Sequence, residues 1–425
     1  MQQNIIDELS WRGLIKDKVS GIENQLKKPT TIYTGFDPTS DSLHLGSLLP
    51  IIILIHFQKM GHKSLALIGG ATGFIGDPSG RKDNRIFLSQ EILQKNTEFI
   101  KNQVIKLMKF HSEKIELLNN LDWIQNVSFL EFIREIGKYF TVNYMISKDS
   151  VKKRINNEKN GISFTEFSYS LIQGYDFLYL NQMKNCLLQI GGSDQWGNIT
   201  TGIELIKKKT GKKAYGFTFP LITKPNGIKF GKSEKGENIW LDKNKTSPYK
   251  FYQFWINISD FEIEKYIRIY TFFSKEKIDE LIIQHRKNPN KRFLQKKLAH
   301  EITKWVHGKE ISEKIIKITH ILFNKKNKIL QLLNEETFIS IYNQIPHMLL
   351  SCEEFEKGIF LLDILKKSGF FYSKSEASRA LKSNSIYLNK ILIKENILLQ
   401  KKNIIGKKYI LLQFGKKEFF IIKIE

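Results

Sequence analysis

Five short stretches of this sequence have residue types and spacings that could do chemistry. The run YTGFDPTSDSLHLGS, Tyr33 to Ser47, places Thr39, His44, Gly46 and Ser47 at the start of an apolar helix. A helix start offers unpaired N–H groups and a positive dipole end, which suits phosphate. Asp41 or Ser42 can cap it, and Gly46 lets a ligand approach the backbone. The same residues also fit a capped helix with a solvent-facing histidine. The second stretch, GGATGFIGDPSGR, Gly69 to Arg81, has five glycines after a strand, with Asp77 as its carboxylate. It is neither a Walker loop nor the dinucleotide fingerprint. In the third, YSLIQGYDF, residues Tyr169, Gln173 and Asp176 share one helix face, and such polar groups need a polar partner. The fourth, GGSDQWGN, Gly191 to Asn198, leaves another strand and carries Asp194 and Gln195. The fifth, KFGKS, has two cations, Lys229 and Lys232, suited to phosphates.

The elements that must position these groups alternate. TIYTGF (31–36) reads as a buried strand, and an apolar helix runs from about Leu45 to Met60. KSLALIGG (63–70) reads as a second strand, making a βαβ unit with parallel pairing. Helical patterns dominate from about Asn84 to Tyr144, and another helix covers 164–180. NCLLQIGG is a third strand, a helix follows to about Lys208, and AYGFTFPLI is a further strand. The pattern predicts an α/β doubly wound parallel sheet over roughly the first 225 residues. Ligands of such sheets bind beyond the carboxyl ends of the strands, where all the polar stretches fall. From about Ser247 to Asn334 the pattern is helical. The last stretch has helices at LLDILKKSG and SKSEASRALKSN, then β-like runs IYLN, YILLQF and FFIIKI.

The 425 residues favour two or three domains, and 41% hydrophobic residues suffice for packed cores. The two cysteines, Cys186 and Cys352, have no metal-ligand spacing and predict no disulfide framework, so the default setting is the cytoplasm. The N-terminus has neither signal nor transit character. LLPIIILI is too short to span a bilayer, so no membrane role is expected. The net charge of +24 points to a polyanion, although a chain so heavy in Lys, Ile, Asn and Phe also fits A/T-rich codon bias.

Taken in order, the five stretches closely resemble a bacterial tyrosyl-tRNA synthetase of class I, over essentially the whole chain. HLGS stands where that class has its HIGH signature and KFGKS where it has KMSKS. The resemblance implies a Rossmann-like sheet and a two-step reaction. Tyrosine is activated by ATP, with Mg²⁺ accompanying the pyrophosphate, and then moves to the terminal ribose of tRNA(Tyr). It also implies residue roles. Tyr33 and Asp176 would bind the substrate hydroxyl. Asp77, Tyr169 and Gln173 would hold its ammonium group, and Gln195 would orient its carboxylate. Gly35 and Asp37 would line the adenylate site and Asp194 would contact the ribose. His44, Gly46, Ser47 and Lys232 would meet ATP. Thr39, His44, Lys229 and Lys232 would be catalytic, stabilising the phosphates. The signature's second histidine is Ser47 here, which implies weaker nucleotide contact. No dedicated metal site is expected.

The C-terminal segment resembles the small RNA-binding domain shared with a ribosomal small-subunit protein, and Lys374, Arg379 and Lys382 are its expected RNA contacts. The expected domains are residues 1–232 (catalytic), 233–335 (helical, anticodon-binding, with a linker) and 350–425 (a small α+β RNA-binding domain). Enzymes of this family pair through the catalytic domain, so a homodimer is expected. A tryptophan-specific relative would waste the pair Tyr33 and Asp176. A non-catalytic RNA-binding derivative would have no use for KFGKS or the Asp176 face.

Overall fold

A computed structural model describes residues 4–79, 88–111, 115–148, 151–152, 155, 161–223, 231, 238–324 and 326–425. Residues 1–242 and 259–294 group into one compact unit, and 243–258 and 295–425 into a second. The first unit holds a five-stranded sheet of β1 (Thr31–Phe36), β2 (Lys63–Ile68), β3 (Glu116–Asn119), β4 (Cys186–Gly192) and β5 (Tyr215–Phe219). The strand order is β3-β2-β1-β4-β5 and every pair is parallel. β1, β2 and β4 are nearly continuous apolar runs, as strands covered on both faces must be. The chain steps outward from β1 to β3, then returns to β4 and β5 on the other side. β1 and β4 therefore flank a topological switch, where a crevice opens.

The doubly wound parallel sheet is the expected one, with one strand added. β3 lies inside the stretch 84–144 that reads as helical. Its four residues are all half-buried at the sheet edge, so they show no apolar period. The apolar run after HLGS forms the helix Leu48–Lys59, buried on every side from Leu48 to Phe57. Burial within the protein explains its composition.

Arg12 ties the helix Asp260–Tyr270 to this unit. Its Nε donates to Glu8 at 2.7 Å. Its two Nη groups donate to the carbonyls of Arg268, Thr271 and Phe273 at 2.6–2.7 Å. These lie at and just beyond the helix C-terminus, where carbonyls lack intrahelical partners and a cation is favoured. The segment Ser259–Leu294 thus groups with the sheet, while 243–258 and the stretch from 295 onward belong to the second unit.

In the second unit the helices Pro248–Ile256, Lys309–Phe323 and Glu335–Tyr342 precede a mixed sheet. Its strands are β6 (His347–Leu350), β7 (Ile386–Leu388), β8 (Ile391–Leu392), β9 (Tyr409–Phe414) and β10 (Glu418–Ile424), in the order β6-β10-β9-β7-β8. The expected helices appear as Leu361–Lys367 and Lys374–Lys382. They bury Ile364, Leu365 and Leu381 in one core with Ile410, Leu412 and Ile422 of the sheet. β6 and β8 have no clear signal in the sequence, being four and two residues long.

Replacing Arg12 by Met should lower unfolding free energy by about 3 kcal/mol, because Glu8 and three carbonyls lose their donor in a buried place. Urea denaturation measures it, and a loss below about 0.5 kcal/mol would show that the guanidinium is solvated instead.

Candidate active site

A cleft of about 240 Å³ opens at the carboxyl ends of β1, β2 and β4. Tyr33, Gly35, Asp37, Thr39, Asp77, Tyr169, Gln173, Asp176 and Gln195 all line it. Nine of the expected site residues, drawn from four separate stretches, thus meet in one place.

At one end sits Asp176, 2% exposed. Trp123 Nε1 donates to its Oδ1 at 2.8 Å, and Asn120 Nδ2 donates to its Oδ2 at 3.0 Å. Asn120 is itself locked, since its Oδ1 accepts the Ala71 N–H at 2.7 Å. The Trp123 indole stacks on Tyr179 at 4.4 Å. Burial pushes the Asp176 carboxyl up to about 7. The donors Asn120 and Trp123 pull against that, and the charge of Asp37 adds to it. Tyr33 lies beside it, buried, with its ring 5.4 Å from Phe177. Its hydroxyl has no hydrogen-bond partner among the described residues, and burial holds it far above the usual phenol range. Gln189, the register partner of Tyr33 on β4, also lines the cleft, with an unpartnered buried Oε1. Buried polar groups left unpaired are costly, so this end favours a polar ligand.

Two more carboxylates line the same cleft. Asp37 accepts from Tyr169 Oη at 2.9 Å and Thr72 Oγ1 at 2.8 Å. Asp77 accepts from Gln195 Nε2 at 2.5 Å and from the Ser79 N–H at 2.9 Å. Asn198 Nδ2 bridges Gln173 Oε1 and Gln195 Oε1. Close packing of these groups requires glycine at the β2 exit. A Cβ on Gly69 would stand 2.0 Å from Asp37 Oδ1 and 2.3 Å from Thr72 Oγ1. Three carboxylates around so small a cleft favour a cationic group within it.

The remaining expected residues fall elsewhere. His44 is exposed, and its Nδ1 accepts the Gly46 N–H at 3.0 Å. It caps the 3₁₀ turn Leu45–Ser47, so the cap expected from Asp41 or Ser42 is supplied by His44. Ser42 bonds instead to Leu43 and Gln103. The reason is the tight first turn, which shifts the helix start toward Leu48. Gly46 and Ser47 are half-buried in that turn, and Asp194 occupies the turn Ser193–Gln195 that opens the next helix. None of these four is among the lining residues. Lys229 and Lys232 lie outside the described residues. In the second unit Arg379 and Lys382 are exposed on the helix Lys374–Lys382, and Lys374 is ion-paired with Asp363.

Sequence reasoning missed Asn120, Trp123 and Gln189. The first two follow β3 directly, so missing that strand meant missing them. The available signal was an asparagine and an indole three residues apart, NLDW, at a strand exit.

Residues 24–324 match the family model described as class I tRNA synthetases (W and Y). The chain is 51% identical to the tyrosine–tRNA ligase of Flavobacterium johnsoniae, covering 99% of this chain and all of that one. It is 47% identical to that of Bacteroides fragilis, covering 99% of each. Among solved structures it resembles a C-terminally truncated mitochondrial tyrosyl-tRNA synthetase of Aspergillus nidulans. That match has TM-score 0.68 and 30% identity, over 76% of this chain and 94% of that one.

Because Asp176 titrates higher folded than unfolded, its contribution to stability is present below about pH 4 and is lost as pH rises toward about 7. Replacing Asp176 by Asn should remove that part of the pH dependence. Denaturant unfolding of the ligand-free protein between pH 4.5 and 8 should show the variant gaining relative to wild type. Parallel curves would mean that the carboxyl is already ionised at low pH.

Proposed function

We propose the following course of reaction for this chain, which belongs to the tyrosine–tRNA ligases of class I: it joins L-tyrosine to tRNA(Tyr), using ATP. The observation that carries the residue assignments is the Asp176 end of the cleft. A buried acceptor held by two donors, an unpartnered Tyr33 hydroxyl and three carboxylates in one cleft fit an amino acid with a hydroxyl at one end and an ammonium at the other. Tyr33 and Asp176 take the phenol hydroxyl. Asp77, Tyr169 and Gln173 take the ammonium, and Gln195 orients the carboxylate. Phenylalanine leaves the first pair unsatisfied in a buried place. This family is itself the standard illustration of that kind of rejection.

In the first step the tyrosine carboxylate attacks the α-phosphorus of ATP, and the bond to pyrophosphate breaks as the new O–P bond forms. A carboxylate is already a nucleophile, so no general base is needed, and catalysis is positioning and charge stabilisation. Thr39 and His44 donate to the phosphates, and Lys229 and Lys232 supply compact positive charge. Gly35, Asp37 and Asp194 line the adenosine side, and Gly46 and Ser47 border the phosphates. Among the described residues no group of three or more His, Cys, Asp or Glu side chains would hold a metal. Mg²⁺ would accompany the nucleotide phosphates, whose oxygens suit it. In the second step a hydroxyl of the terminal ribose of tRNA attacks the acyl carbon, and AMP leaves. The exposed Arg379 and Lys382, with Lys374, take the RNA backbone, as the net charge of +24 favours. No described helix is long and apolar enough to cross a membrane, and the reading places the enzyme in the cytoplasm with its tRNA.

A homodimer fits an apolar groove on the first unit. Phe129 and Phe164 are 66% and 67% exposed there. The helix Phe164–Lys184 lines the groove with Phe167, Leu171 and Tyr175, while its other face carries Tyr169, Gln173 and Asp176. Such a patch is unusual on a monomer, and a second copy covers it.

Two experiments test these readings. Pyrophosphate exchange should proceed with tyrosine and be negligible with phenylalanine and tryptophan. Exchange with tryptophan would contradict the hydroxyl-binding pair, and no exchange at all would point to a non-catalytic RNA-binding chain. In sedimentation at micromolar concentration the wild type should run as a dimer and a Phe164→Asp variant as a monomer. Dimeric behaviour of that variant would place the contact elsewhere.

A further inference from the structure

The turn between β7 and β8 consists of Asn389 and Lys390, at φ 49° and 68°. A two-residue hairpin turn with both centres left-handed strongly prefers Asn-Gly. Asparagine tolerates the first position, but a lysine at the second is strained. Its side chain shows what the strain accomplishes. Lys390 is half-buried, and its Nζ donates to the carbonyls of Ile321 and Asn324. These carbonyls belong to the end of the helix Lys309–Phe323. Asn324 there is extended (φ −69°, ψ 129°), so no left-handed cap closes the helix. A lysine on the last carbonyls substitutes for that cap and meets the negative end of the dipole.

Other contacts hold the same two parts together. Phe323 meets Phe419 of β10 edge-on at 5.3 Å. Phe338 stacks flat on Tyr409 of β9 at 4.9 Å, and a Cβ on Gly406 would stand 2.2 Å from the Phe338 ring. Lys408 pairs with Glu335 at 2.8 Å. None of these residues belongs to the core that the C-terminal module builds from its own helices and sheet. The module thus has a core of its own and a separate set of contacts that hold it to the helices.

We propose that Lys390 is a positioning residue for tRNA: it clasps the C-terminal module to the end of Lys309–Phe323, fixing the face with Arg379 and Lys382 before RNA arrives. The inference rests on the reading that this face takes tRNA. A module released from its seat must be reordered when RNA binds, and affinity falls by the fraction that is correctly seated.

The test uses the full-length Lys390→Gly variant. Glycine suits the turn, so the hairpin is retained while the ammonium is lost. Hydrogen exchange in the last turn of Lys309–Phe323 should quicken. The KM for tRNA in aminoacylation should rise about threefold or more, as expected if a third or less of the modules stay seated. Tyrosine-dependent pyrophosphate exchange and aminoacylation kcat should stay as in wild type, and Lys390→Arg should keep the tRNA KM close to wild type. Unchanged hydrogen exchange overturns the clasp, whatever tRNA does. Faster exchange with an unchanged KM, while Arg379→Ala raises it, overturns the positioning role alone. If Arg379→Ala and Lys382→Ala also leave KM unchanged, the RNA assignment of the face fails and takes the positioning role with it.

Discussion

A carboxylate taken out of water must be surrounded by donors or it will hold its proton, and the first unit is arranged around that constraint at Asp176. Two donors come from the segment after β3, Asn120 and Trp123, and each is fixed by something else: the Ala71 amide for one, the Tyr179 ring for the other. The third donor position is left to a ligand. Strand order, the glycine at the β2 exit and the face of the helix Phe164–Lys184 all serve to bring these groups within hydrogen-bond reach. On the proposed assignment the pocket is selective because a hydroxyl-bearing substrate pairs these groups and one without a hydroxyl does not.

The same economy of charge explains how an acidic cleft works in so basic a chain. Asp37, Asp77 and Asp176 line the pocket of a protein with net charge +24. Inside, three carboxylates favour a small cationic group. Outside, the excess of lysine draws a polyanion. A triphosphate brought beside three carboxylates would be repelled unless cations and N–H groups came with it. In the proposed reaction His44 and the two lysines of KFGKS meet that need.

Much of this was legible in the sequence. Strands β1, β2, β4 and β5 announce themselves as apolar runs, and the helical spacing of Tyr169, Gln173 and Asp176 predicts a shared face. What was illegible has a physical cause. β3 is a short edge strand without alternation, so its pairing is set by the neighbour β2 and not by local pattern. With it were lost Asn120 and Trp123, whose importance is a matter of orientation in space. The cap that His44 places on its own turn was not legible either, because it follows from the 3₁₀ geometry. In the C-terminal module the helices were visible by period, whereas β6 and β8 are fixed by pairing with longer strands. The clasp at Lys390 could not be read from sequence at all, because it joins residues 66 and 69 positions apart.

The most direct measurement of the central claim is the ratio of kcat/KM for tyrosine to that for phenylalanine in pyrophosphate exchange, wild type against Asp176→Ala. If the buried acceptor completes itself with the substrate hydroxyl, the ratio collapses by two or more orders of magnitude, roughly 3 kcal/mol of discrimination. A folded Asp176→Ala enzyme that keeps the wild-type ratio would show that selectivity resides elsewhere in the cleft.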